Sequence, residues 1–200
     1  MRNRTGAGRR LAVAVIFAGL AGGLQAASIV APTFSGMIAR AQAVFVGETL
    51  DVRSQWVSTP SGRAIVTVVT FKVVRTLKGE LGAQTQLEFL GGTVGEYRME
   101  VPGIPRFRVG DEDVLFVDDR GQPVSPVVGF MHGRFRVLEE PGTGRRSVAR
   151  HDFSRLSSVA EIGAAAPSAA PARQSPSASL ALADFEREIE RAVRRQREAR

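Results

Sequence analysis

The longest strand pattern in the chain covers residues 64–77 and constrains the fold more than any other feature. Its apolar positions recur with the two-residue period of a strand that buries one face. They are Ile65, Val69, Phe71, Val73 and Leu77. The 14 residues of this stretch exceed the usual strand length of about 5–6 residues. Because a long, bent strand can serve both sides of a closed sheet, this segment predicts a β-barrel.

Shorter patterns surround this strand. Helical spacing predicts a short helix over 33–41, with Thr33 or Ser35 as its N-cap. Further strands are predicted at 43–52, 84–90, 114–117, 134–139 and 146–150. The last two would form a hairpin across the turn residues 140–145, and a second short helix is expected over 152–162. The element order predicts a mainly β fold, in which residues 28–155 form a small β-barrel domain that begins with the short helix; its OB-like character is what the resemblance described below implies.

Residues 1–27 have the organisation of a signal peptide. Four arginines occur in the first ten residues, an apolar run of 14 residues follows from Leu11 to Leu24, and small residues come next. The run is shorter than the about 20 residues that a spanning helix needs. We expect cleavage after Ala26 or Ala27 and export to the periplasm or the medium. A mitochondrial presequence would be amphipathic, and this run has no polar face.

The C-terminal third differs in composition from the predicted barrel. Residues 163–179 are rich in Ala, Pro and Ser, so 156–180 are expected to hold the short helix and then a flexible linker. Residues 181–200 predict an amphipathic helix. Its uncharged, mostly apolar stripe consists of Leu182, Phe185, Ile189, Ala192, Gln196 and Ala199. This helix either packs on its own barrel or binds a partner, and the sequence leaves both open.

Several classes of chemistry are missing from the sequence. The chain has no cysteine, which excludes disulfides, cysteine zinc sites and thiol nucleophiles. No metalloprotease, phosphate-loop, serine-hydrolase or EF-hand motif occurs. We therefore expect no enzyme, no cofactor and no metal. The acidic clusters at 111–113 and 118–119 are expected to be solvated strand ends rather than a calcium site, because they lack a ligand spacing.

The charge of the chain does not indicate nucleic acid binding. Its formal net charge is +7, and four arginines before residue 28 supply more than half of it. The mature chain would be only mildly basic, which is weak support for a nucleic acid partner. Single-strand binding also needs exposed aromatic rings for base stacking, and most phenylalanines here alternate inward.

The candidate binding residues lie in two segments. The loop from Val101 to Gly110 is rich in turn residues, and the stretch from His132 to Arg136 resembles an exposed edge. A histidine and several arginines in these segments suit an anion or a carboxylate. We select Arg106, Phe107, Arg108, His132, Arg134 and Arg136 as candidate binding residues.

The order of motifs resembles a known domain. The short helix ends in ARAQAVFVGETL, the long strand reads TVVTFKVVRTLKGEL, and a loop leads into FRVGDEDVLFV. This pattern is similar to the netrin-like domain, the OB-type barrel of tissue inhibitors of metalloproteinases, and more closely to small bacterial exported proteins. The resemblance implies the fold and a binding role. Those inhibitors act through an N-terminal cysteine that this chain lacks, so no inhibitory residue is carried over.

Together these observations predict an exported, non-catalytic binding module of the bacterial envelope. Its partner is expected to be another envelope or secreted protein, with no nucleic acid partner and no transmembrane helix in the mature chain. Inhibition of an envelope or secreted protease is the alternative function. An enzyme is the least favoured class, because no catalytic set of residues occurs.

Overall fold

A computed structural model describes residues 31–60, 62–121, 124–163 and 179–199. The predicted signal peptide and residues 164–178 of the predicted linker lie outside these ranges. The strands are β1 (Ala43–Thr59), β2 (Gly62–Lys78), β3 (Gln84–Leu90), β4 (Gly92–Val94), β5 (Tyr97–Met99), β6 (Glu112–Val117), β7 (Arg134–Glu139) and β8 (Arg146–Arg150). The helices are α1 (Phe34–Arg40) and α2 (Leu182–Glu198).

Six strands form one antiparallel sheet in the order β3-β2-β1-β6-β7-β8, and β4 and β5 form a small second sheet. The strand β1 is central, since it pairs with β2 along its whole length and with β6 through its first six residues. It runs to Thr59, well beyond the predicted end at residue 52. Its second half is more polar and is held by pairing with β2, which alternation of apolar residues does not reveal.

The prediction of a mainly β fold is confirmed, whereas a closed barrel is not found. Within the part of the chain that the structure describes, no ladder joins the two edge strands β3 and β8. The edge of β8 is covered by chain from the C-terminal region. Val148 donates its backbone N–H to the Leu180 carbonyl at 3.0 Å, and Arg150 donates to Ser154 at 2.9 Å.

Two helices cover one face of the large sheet. Thr33 caps α1 by accepting from the Gly36 N–H at 3.1 Å, and Met37 and Ile38 are buried. Helix α2 packs in cis against this face, with Phe185, Ile189 and Val193 in the same core. The predicted stripe was therefore partly wrong, since the buried seam turns to Val193. Gln196 instead accepts a hydrogen bond from Lys78 at 3.1 Å, and Ala199 is exposed.

Loops and the small sheet cover the opposite face. Its core contains Phe45, Phe71, Phe89 and Phe107. The strands β4 and β5 lie in a stretch for which the sequence predicted no strand, because three-residue strands carry too little alternation to be recognised. The helix predicted over 152–162 is reduced to one 3₁₀ turn, Val159–Glu161. No described helix has both the length and the apolar character required to cross a bilayer.

Candidate functional site

A buried ion pair forms the floor of the candidate site. Arg134 and Asp113 lie on the loop-covered face of the sheet, and their side chains are 3% and 0% exposed. The guanidinium donates from Nε and Nη2 to the two carboxylate oxygens, each at 2.8 Å. It also donates to the Arg106 carbonyl and lies 4.2 Å from the centre of the Phe107 ring. Arg134 is therefore held on several sides by the protein itself.

This pair corrects two expectations. The acidic cluster 111–113 was expected to be solvated, but Asp113 is fully buried. Burial raises the pKa of the Asp113 carboxyl, while the hydrogen bonds and charge of Arg134 act in the opposite direction. Phe107 was selected as a binding residue, yet its ring lies in the core beneath Arg134. Replacing only one member of such a pair leaves a buried charge without its partner, so a change at Arg134 or Asp113 alone should destabilise the fold.

Arg136 is less completely bonded than Arg134. Its Nη2 lies 2.9 Å from Oδ1 of Asp111, and its guanidinium lies 4.3 Å from the centre of the Phe153 ring. Its buried Nε has no hydrogen-bond partner in the structure. Phe153 reaches this position through a left-handed backbone, with φ of 65°, which is rare for a bulky residue. The local turn therefore fixes an exposed ring against the arginine.

Two histidines lie beside the arginines. The sequence predicted His132 on an extended edge, whereas the structure places it in the 3₁₀ turn Phe130–Gly133. Its ring centre lies 5.5 Å from that of His151, with the rings nearly perpendicular. Burial lowers the pKa of both imidazoles, and the charge of His151 lowers the pKa of His132 further. The pair is thus expected to be neutral at pH 7.

These residues surround a cavity of about 370 Å³ between the β5–β6 loop, β7 and the turn after β8. We call it the arginine cavity. Its polar and aromatic lining consists of Arg106, Arg108, Asp111, Arg134, Arg136, His151 and Phe153. Four of the six predicted site residues line it, while Phe107 lies beneath it and His132 reaches it only through His151.

Three lining residues were not predicted to bind a ligand. Asp111, His151 and Phe153 come from a loop and a turn, and no spacing in the sequence relates them to β7. The pairing of Asp113 with Arg136 across β6 and β7 brings Asp111 to β7, and the pairing of Phe135 with Arg150 across β7 and β8 brings the turn after β8 there. The alternation of Arg134 and Arg136 along one strand was the signal that could have indicated these residues. If that face is buried, both guanidinium groups need hydrogen-bond acceptors nearby.

Positive charge exceeds negative charge at this cavity. Arg134 and Arg136 are balanced by Asp113 and Asp111, and Arg106 is paired with Glu100. Arg108 is exposed and, among the described residues, has no ion pair. An acidic group entering the cavity would therefore meet the Arg108 guanidinium and the Arg136 guanidinium, whose one ion pair is with Asp111, above a rigid floor.

The described residues contain no group of three side chains able to hold a metal ion. No family model, curated protein or solved structure matches this chain. The resemblance to the netrin-like domain therefore stays a prediction.

Proposed function

We propose that this protein is an exported, non-catalytic binding module that takes an acidic group of an envelope or secreted protein into the arginine cavity. The observation that carries the proposal is the unequal use of two neighbouring arginines. Arg134 is bonded on several sides, whereas Arg136 pairs with Asp111 alone and has a buried Nε without a hydrogen-bond partner. Arg108 is exposed and forms no ion pair with any residue that the structure describes.

The floor of the cavity is suited to recognition. Because Arg134 and Asp113 are fixed by a two-bond pair, the strand that carries Arg136 is held in one position. Phe153 restricts the Arg136 guanidinium from one side. Donors that are ordered before binding lose less conformational freedom when a ligand arrives. A carboxylate can then accept from two guanidinium groups in a short, charge-assisted geometry.

The wider assignment belongs to the same proposal. An OB-type fold belongs to the proposal through the order of the helix and strand motifs in the sequence, with the described sheet open between β3 and β8. The predicted leader favours export, and export makes an envelope or secreted protein the partner class. The candidate residues Arg106, Arg108 and Arg136 would contact this partner, with Arg134, Phe107 and His132 supporting them.

A peptide array tests the proposal directly. Sets of peptides that differ only in Asp or Glu against Asn or Gln are probed with the wild-type protein, and binding peptides are then titrated in solution. We expect the acidic members to bind at least about tenfold more tightly, the size of one hydrogen bond to a charged group. We also expect this preference to weaken as salt is raised.

Matched variants locate the binding site. Arg136→Lys and Arg108→Ala should each weaken binding of the acidic peptides by about five- to tenfold. Arg194→Ala removes an equally exposed arginine from the outer side of α2 and should change nothing. Equal binding of acidic and neutral peptides, or an equal loss in the Arg194→Ala protein, would contradict the proposal. If adding this protein to a panel of exported proteases lowers their proteolytic activity, protease inhibition becomes the favoured function.

A further inference from the structure

A second cavity lies on the same face of the sheet, separate from the arginine cavity. It has a volume of about 290 Å³ and lies between β1, β2, β3 and the segment 98–107. Its apolar lining includes Val52, Val69, Phe89, Met99, Ile104 and Phe107. Ile104, Pro105 and Arg106 line both cavities and form the wall between them. We call this space the apolar cavity.

The polar groups at one end of the apolar cavity are bonded to each other. The Ser54 and Thr67 hydroxyls lie 3.0 Å apart, and Thr67 donates to the Gly91 carbonyl at 2.7 Å. Ser54 also accepts from the Thr93 N–H at 3.3 Å. A Cβ on Gly92 would overlap both hydroxyls, and this glycine has φ of 135°. The backbone at Gly92 therefore lies directly against the Ser54 and Thr67 hydroxyls. Because these hydroxyls bond to each other and to the backbone, this end of the apolar cavity presents few free polar atoms to a ligand.

The mouth of the apolar cavity carries unequal charge. Arg98 and Arg106 both donate to the same Oε1 of Glu100. Two guanidinium groups thus share one carboxylate, and all three side chains are more than half exposed. The hydrogen bonds from Arg106 and Arg98 lower the pKa of Glu100, so the carboxylate stays ionised at neutral pH. The mouth retains one positive charge in excess.

We propose that the apolar cavity binds a small amphipathic carboxylic acid, with its apolar tail inside and its carboxylate between Arg98 and Arg106. The apolar walls favour removal of a hydrocarbon tail from water. The volume is at the lower end of the range of about 300–1,000 Å³ found for small-molecule sites, which favours a short tail. The excess positive charge selects an acid over an alcohol or an amine of the same length.

Octanoate is the probe, and 1-octanol is the neutral comparison. Each is titrated into the purified protein while the methyl groups of Val, Ile and Met are observed by NMR. Saturable octanoate shifts are expected at Val52, Val69, Met99 and Ile104, and not at the exposed Val74 or Val109. The absence of saturation, or shifts confined to exposed methyl groups, would overturn the proposal. So would equal affinities for octanoate and 1-octanol.

Two variants of the mouth should act in opposite directions. Arg98→Gln should weaken octanoate binding about two- to fivefold, and Glu100→Gln should strengthen it by a similar factor, as for exposed charge pairs. Binding of 1-octanol should change in neither. Both side chains are exposed, so the fold is not at risk. Glu80→Gln, another exposed acid remote from the cavity, is the matched control and should leave octanoate binding unchanged.

One further comparison separates the two cavities. Arg108→Ala alters only the arginine cavity and should leave octanoate binding as it is. If Arg108→Ala abolishes octanoate binding while Arg98→Gln leaves it unchanged, the carboxylate lies in the arginine cavity and the proposal is wrong. A 3-phenylpropionate titration run in parallel shows whether an aromatic or an aliphatic acid fits better.

Discussion

The two faces of the large sheet are closed in different ways. On one face, Phe116 and Phe135 pack with Phe185 of α2, whose ring centre lies 5.0 Å from that of Phe135. On the other face, Phe71 and Phe89 each lie 5.1 Å from Phe107, which belongs to a loop. Both clusters are aromatic and buried, yet regular helices seal the first and irregular chain seals the second.

We infer from this difference that the helix-covered face mainly stabilises the fold and that the loop-covered face carries the binding groups. Successive residues of β6 alternate between the faces, so Phe116 enters the helix-covered core and Leu115 the loop-covered core. The same alternation on β7 places Phe135 with the helices and directs Arg134 and Arg136 to the loops. Loops held on a rigid sheet are where binding groups are usually found. Both proposed sites lie on the loop-covered face.

Of the variants that test this difference between the faces, the largest loss of unfolding free energy is expected when an aromatic ring is removed from the helix-covered face. Phe185 is fully buried and touches the rings of Phe34, Phe116 and Phe135. Phe185→Ala should lower the free energy of unfolding by about 3–5 kcal/mol, because it removes apolar burial and leaves a cavity. Urea unfolding followed by circular dichroism measures the change.

The matched control for Phe185 is an aromatic ring on the loop-covered face. Tyr97 is 66% exposed and makes an edge contact with Trp56. Tyr97→Ala should change the free energy of unfolding by less than about 0.5 kcal/mol, as is usual for surface positions. A loss in Phe185→Ala as small as that in Tyr97→Ala would mean that α2 contributes little and that the helices do not close the core as described.

The same contrast explains which elements the sequence predicts. The strands at 84–90, 134–139 and 146–150 match the structure at both ends, because their alternation or their turn residues are local. Whether α2 packs on its own sheet depends on how well its apolar face fits a sheet that is distant in sequence. The spacing of apolar residues within the helix carries no information about that fit. The short β4 and β5 and the polar half of β1 depend on pairing, so their existence follows from neighbours rather than from their own residues.

The second test addresses the polar floor of the loop-covered face. Arg134→Met removes one partner of the buried pair and should cost about 3 kcal/mol, because Asp113 loses its counter-charge in a buried site. Thermal and urea unfolding measure this cost. The double variant Arg134→Met with Asp113→Leu should recover much of the loss, since apolar replacements of a buried pair are often nearly neutral.

Additive losses in that double variant would mean that the two side chains act independently, against the geometry described.

The candidate site was predicted from the sequence only in part. Local chemistry predicted the arginines of 106–108 and 134–136 as a group, but it did not separate their roles. The register between β6 and β7 places Arg136 opposite Asp113. The side-chain bonds nevertheless commit Arg134 to Asp113, whereas Arg136 faces Asp111 and the cavity. The sequence therefore indicates where an anion would bind better than which side chain would bind it.

The smallest effect is expected from the two histidines at the border of the arginine cavity. Burial lowers the pKa of His132 and His151 in the folded protein, and Arg134 and Arg150 add to this at His151, while Asp152 acts in the opposite direction. As the pH falls below about 6.5, the ordinary histidine value, the unfolded chain takes up protons first. The free energy of unfolding should therefore decrease as the pH falls from 7 to 5, and these groups should add no pH dependence above 7.

The double variant His132→Gln with His151→Gln isolates this contribution, because all other titrating groups are the same in both proteins. We expect the unfolding free energy of the variant to depend less on pH between 5 and 7, with little change at pH 8. Urea midpoints at several pH values measure it. Because the rings lie 5.5 Å apart, the two single variants should not add up to the double. An identical pH dependence in the wild type and the double variant would mean that the pair is as hydrated as in the unfolded chain. The loop-covered face would then be open to water even where the rings meet.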